Sequence, residues 1–313
     1  MGSGRHAGPP VLLDPFAADP PLHTQGIGRG QNAHQGDGAG QSVFSGPLAP
    51  EHSAWLAAGE PDGTLRAETR TIAGFEVPVH LSVPSTSRPQ GLLVLFDGSD
   101  WFDSLAAPRA CEAAGLPPMV VIGIGAGAHA GSQGSASARE QRVATLGGNS
   151  EFLSEVCATL LPQIEAELRE QGIALPGRSR RIVCGQSLGG LSALLLALES
   201  PATFGTVLAH SASLWWRPGG QASPADLGRA DADDWLVGRL LDSGDLDIEV
   251  HLAVGSREVL MVVHHRLLAQ VLEERGELTS LSIYQGGHDL ACWRGELIDG
   301  LRAVFGTSSA TES

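Results

Sequence analysis

Between Gly91 and Tyr284 the chain alternates short, strongly apolar segments with helix-length stretches, and this alternation narrows its fold more than any other feature. The segments are 91–96, 119–124, 181–184, 205–209, 248–254 and 278–284. Strands of this kind are buried on both faces, so the pattern predicts a mostly parallel sheet covered by helices on each side. One helix is expected at 149–170, where Phe152, Val156, Leu160, Ile164 and Leu168 recur every fourth residue behind an Asn/Ser cap, with Pro162 interrupting the stripe. The others are expected at 188–199, 261–274 and 293–305. Runs rich in Thr, Val and Ile at 65–72 and 76–83, broken by Ala73-Gly74, predict a hairpin that forms an antiparallel N-terminal edge. The first sixty residues hold 11 Gly and 7 Pro, so 1–62 reads as an irregular leader, 63–306 as the folded domain and 307–313 as a flexible tail.

Composition removes several classes of function. At 42% hydrophobic and 18% charged, with mean hydropathy +0.03, the chain has enough apolar material for a large core and too little charge for disorder. No run reaches membrane-spanning length and the N-terminus lacks the order of a secretion signal, so a cytoplasmic protein is expected, with no membrane partner. A net charge of −15 opposes nucleic acid as a partner. All 20 basic residues are Arg and none is Lys, which removes Schiff-base chemistry and a P-loop. Cys111, Cys157, Cys184 and Cys292 are far apart, as suits free thiols better than a metal or redox motif, and no metal site is expected. Oligomeric state is not legible.

Gly185-Gln186-Ser187-Leu188-Gly189 matches the Gly-x-Ser-x-Gly nucleophile elbow. With 41 Gly in the chain the bare pattern is weak, but here an apolar strand leads in and a helix leads out, which is the context the motif needs. The fold class is therefore expected to be α/β, specifically an α/β-hydrolase with Ser187 as nucleophile. A serine hydroxyl needs a base on the same rim of the sheet. His288, after Gly286-Gly287 beyond the last strand, is the candidate, since His264 and His265 lie in a predicted helix, His251 in a strand, and His6, His23, His34 and His52 in the leader; His80, His129 and His210 are less easily set aside. Glu258, in the loop after 248–254, is the candidate acid, whereas Asp289 is too near His288 in sequence to curl back onto its ring. The oxyanion donors are expected from the N–H of Leu188 and from Gly98 or Ser99.

Taken in order, Phe96-Asp97-Gly98 with Trp101, Arg139-Glu140 before Asn149 and Phe152, the elbow, Ser211 to Trp216, Gly255-Ser256-Arg257-Glu258 and Gly286 to Gly295 resemble the enterochelin (enterobactin) esterases. The resemblance covers about 63–305. It implies a serine hydrolase that opens the triserine trilactone of a catecholate siderophore, usually iron-loaded, through Ser187, His288 and Glu258. Iron then arrives only with the substrate, and no cofactor is implied. Family members carry a β-rich domain ahead of the hydrolase, whose tail Val11-Leu12-Leu13-Asp14-Pro15 resembles, and Val259 stands where the family often has Pro. A bulky aromatic trianion calls for aromatic faces and guanidinium groups, and Trp101, Trp215, Trp216, Arg139, Arg142, Arg217, Arg257 and Arg294 lie near motif loops. Two other readings fit the same residues: a general carboxylesterase, feruloyl esterase or acyltransferase of this fold, and a non-catalytic siderophore binder.

Overall fold

The computed structural model describes residues 53–57, 59–129, 137–218 and 234–306, together with three two-residue strands nearer the N-terminus. The chain divides into two units, Met1–Ala49 and Pro50–Ser313. In the first, Leu13–Asp14, Gln25–Gly26 and Ser42–Val43 pair antiparallel in the order first, third, second. The expected tail at 307–313 and most of the expected leader lie outside the described residues.

The second unit is built on β1 (Thr64–Ile72), β2 (Phe75–Val83), β3 (Gly91–Phe96), β4 (Met119–Ile124), β5 (Arg181–Gln186), β6 (Thr206–His210), β7 (Glu249–Gly255) and β8 (Leu278–Tyr284). Their order across the sheet is β1-β2-β4-β3-β5-β6-β7-β8. From β4 to β8 every pairing is parallel, and β2 runs antiparallel to both β1 and β4. This is the mostly parallel sheet with an antiparallel N-terminal edge that the apolar pattern requires. The continuously apolar β3 and β4 are buried at every residue. β8 departs from that reading: only Tyr284 is fully buried, because the strand is the sheet's other edge and its Thr279 and Ser280 face outward.

Four helices bear on the site. α1 (Ala138–Leu146) starts in a capping box, with Ser137 Oγ accepting from Glu140 N–H while the Glu140 carboxylate accepts from Ser137 N–H. α2 (Leu188–Glu199) follows the elbow and is buried along almost its whole length. α3 (Leu260–Glu274) follows Glu258, and α4 (Leu290–Phe305) is capped by Asp289, which accepts from Cys292 N–H. The stripe at 150–170 is helical, with Val156–Leu160 as a π turn whose 161→156 hydrogen bond falls just ahead of Pro162. The register shift sits where proline has no N–H to give.

Candidate active site

β5 ends at Gln186, and Ser187 stands between strand and α2 with φ +56° and ψ −120°, a conformation an L-residue adopts only under constraint. The constraint comes from the glycines around it. A Cβ on Gly185 would lie 2.2 Å from the Gly189 carbonyl oxygen, so the turn closes only with hydrogen there, and one on Gly190 would lie 3.1 Å from Ala212 Cα, a tight approach. Ser187 N–H donates to His210 O at 2.9 Å, and its carbonyl accepts from Ser213 N–H at 2.9 Å. Its hydroxyl hydrogen-bonds Ser213 Oγ at 3.4 Å rather than His288.

The loops after β7 and β8 bring Glu258 and His288 together. His288 Nδ1 lies 2.6 Å from Glu258 Oε2, with the carboxylate side chain 4% exposed and the imidazole 43%. Burial alone would raise the Glu258 pKa, but hydrogen bonds from His288 and Ser211, the charge of His288 and the Gly255 N–H outweigh it and hold the carboxyl below its usual range. Ser211 Oγ donates to Oε1 at 2.6 Å and Gly255 N–H at 2.8 Å. Trp293 packs edge-on to the His288 ring at 4.8 Å and donates its Nε1–H to Ser211 Oγ at 3.0 Å, so ring and carboxylate share one scaffold. An imidazole whose Nδ1 is held by a carboxylate presents Nε2 as base, and its open face leaves that nitrogen free to reach a hydroxyl.

The loop after β3 holds the other half. Asp97 is left-handed at φ +59°, and a Cβ on Gly98 would lie 2.4 Å from the Gly123 carbonyl carbon, which presses the loop against β4. Asp97 does not face solvent. Arg142 Nε and Nη2 donate to its two oxygens at 2.7 and 2.8 Å, and Gln186 Nε2 donates to Oδ2 at 3.0 Å.

The structure sorts the residues expected to meet substrate into two groups. Arg139 and Arg257 are exposed, Trp215 and Arg217 half-buried. Arg257 also donates its N–H to Gly286 O at 3.0 Å, which puts it beside the His288 loop. The others are engaged elsewhere. Trp101 is fully buried and donates to Gln186 Oε1 at 3.2 Å. Trp216 closes the end of α1 by donating to Gly147 O at 2.8 Å. Arg142 is committed to Asp97, and Arg294 is 2% exposed with Nε and Nη2 unpaired. Residue type and nearness to a motif did not separate the groups, because which face of a loop a side chain takes depends on packing that the sequence does not display. Asp97, Gln186 and Ser211 entered the sequence reading only as members of motifs, with no role of their own, and Tyr284, whose hydroxyl hydrogen-bonds Ser211 Oγ at 3.1 Å, entered only as the end of a strand. The Ser137-x-x-Glu140 capping box was the one local signal for α1, the helix that carries Arg142.

Residues 71–304 match the family described as putative esterase. The chain is 36% identical to the iron(III) salmochelin esterase of Escherichia coli O6:H1 (strain CFT073) over 98% of its own length and 70% of that protein. It is 29% identical to the iron(III) enterobactin esterase of Escherichia coli K12 over 85% of its length, and spans 63% of that relative. Among solved structures it is similar to the enterobactin esterase of Shigella flexneri determined in the presence of enterobactin, at 26% identity and a TM-score of 0.66, covering 87% of this chain and 66% of that one.

Proposed function

The chain belongs to the enterochelin esterase family, and from that membership we propose that it hydrolyses the triserine trilactone of a catecholate siderophore through Ser187, His288 and Glu258. The observation that carries the residue assignment is the His288 Nδ1 to Glu258 contact of 2.6 Å, on the same rim of the sheet as a serine held at φ +56°. His288 Nε2 takes the hydroxyl proton as Ser187 Oγ attacks a lactone carbonyl. The tetrahedral oxyanion is met by the N–H of Leu188 and by that of Gly98 or Ser99. The C–O bond of the lactone breaks, the seryl alcohol leaves with the proton from His288, and water delivered through the same imidazole frees the acyl group. Ser213, 3.4 Å from the Ser187 hydroxyl, holds that hydroxyl until substrate arrives.

Recognition of a bulky trianion by a chain of net charge −15 rests on local guanidinium groups, and Arg257, Arg139 and Arg217 are the exposed or half-exposed candidates, with Trp215 as an aromatic face. Iron enters as cargo of the substrate. All four cysteines are free thiols, which suits a reducing cytoplasm. Chromatography of the products from ferric enterobactin tests the reading. Linear catecholate–serine products are expected from the wild type and a rate about 10⁵-fold lower from Ser187→Ala; cleavage by Ser187→Ala at the wild-type rate would contradict it.

A further inference from the structure

Two loops have to keep a fixed distance for an ester to be cleaved here, and each carries a left-handed non-glycine residue: Asp97 at φ +59° in the loop after β3 and Ser187 at φ +56° after β5. One guanidinium touches both. Arg142 grips the Asp97 carboxylate with Nε and Nη2, and the same Nη2 donates to the Gln186 carbonyl at 3.0 Å, one residue before the nucleophile. The Gln186 side chain completes the bridge: its Nε2 donates to Asp97 Oδ2, and its Oε1 accepts from Trp101 at 3.2 Å. The elbow makes room for this arrangement, because a Cβ on Gly189 would lie 3.1 Å from Asp97 Oδ2 and 3.2 Å from Phe96 Cβ. The carrier of the guanidinium is fixed as well. α1 starts in its capping box, and at its other end the Gly147 carbonyl accepts from Trp216 and the Leu146 carbonyl from Ser192, which holds Arg142 against the two loops.

We infer that Arg142 is a positioning residue: by joining Asp97 to the Gln186 carbonyl it sets the separation between the Gly98–Ser99 amides and the Ser187 hydroxyl, and it does not serve as a ligand of the anionic substrate. The inference rests on the serine-esterase reading above. Geometry of this kind needs a planar fork with several donors, which lysine does not offer, so charge and shape are separable by mutation.

The test is steady-state kinetics of Arg142→Lys on two substrates, the ferric trilactone and 4-nitrophenyl acetate, a small neutral ester with no anionic group for a guanidinium to pair with. A positioning role predicts kcat lower by about 100-fold on both, with KM within about threefold. Arg142→Ala should recover at least about tenfold when guanidinium is added to the assay, and Asp97→Asn combined with Arg142→Lys should lose little more than either alone. Full kcat on the neutral ester, with a raised KM confined to the trianion, overturns the inference and makes Arg142 a substrate ligand. If Arg142→Lys does not fold by circular dichroism, the near-isosteric Asp97→Asn carries the test, and full neutral-ester kcat in that variant overturns it equally. A wild type that cleaves the neutral ester but leaves the trilactone intact refutes the substrate reading alone; one inert on both refutes both.

Discussion

Glu258 and Asp97 bury their carboxylates to a similar degree on two sides of the same rim, with side chains 4% and 6% exposed, yet they are partnered by different bases. Glu258 faces His288, an imidazole that can both accept and give a proton at its ring nitrogens, and Asp97 faces Arg142, a guanidinium that keeps its charge. The first pair can therefore take part in proton transfer, and the second fixes geometry throughout a reaction cycle. Glu296 on α4 supplies the contrast: it is 7% exposed, gains a hydrogen bond from Ser282 and no cationic partner among the described residues, and burial with the charge of Asp299 pushes its pKa up to about 7. Burial is common to all three carboxyls; the partner decides whether the charge survives.

The largest effect that could break this comparison is expected at Glu258. Glu258→Gln keeps the shape and loses the charge that supports an imidazolium, so kcat for ester cleavage should fall about 10³-fold while the thermal midpoint shifts by a few degrees at most. A loss of under tenfold would make Glu258 a loop anchor no different in kind from Asp97. The smaller effect is on stability and belongs to Glu296. A folded chain that keeps this proton up to about pH 7, where the unfolded chain releases it near 4.5, binds more protons across that window and loses unfolding free energy as pH rises through it. Glu296→Gln removes that loss. In urea titrations at pH 5 and pH 8 the wild type should lose roughly 3 kcal/mol more than the variant between the two. Equal pH dependence in both would mean that Glu296 has a cation or water network that keeps it ionised.

Much of the scaffold was legible because its signals are local. β3, β4 and β8 fall where the apolar runs place them, α2 begins one residue after the elbow serine, and the hairpin turns at Ala73-Gly74. His288 stands on a Gly-Gly loop past the last strand, thirty residues from Glu258, so their meeting follows once the sheet is parallel and both loops leave the same edge. The Asp97–Arg142 pair is different in kind. It joins residues 45 apart, one on a loop and one on a helix of weak apolar character with only Thr145 and Leu146 buried, and no spacing rule couples them. Trp101 and Trp216 read in the sequence as aromatic faces for a ligand, and the structure turns both inward, where each indole N–H finds a carbonyl-type acceptor, Gln186 Oε1 and Gly147 O. The edge position of β8, with its partial exposure, was hidden for a related reason: strand order is a property of the assembled sheet.

The most direct test of the central claim is covalent. A fluorophosphonate carrying a small alkyl group reacts only with a serine that has a working base and oxyanion donors, and peptide mass spectrometry locates the adduct. One adduct is expected, on Ser187, with its rate of formation lost in His288→Ala. Labelling of another serine, or of Ser187 at an undiminished rate in His288→Ala, would contradict it.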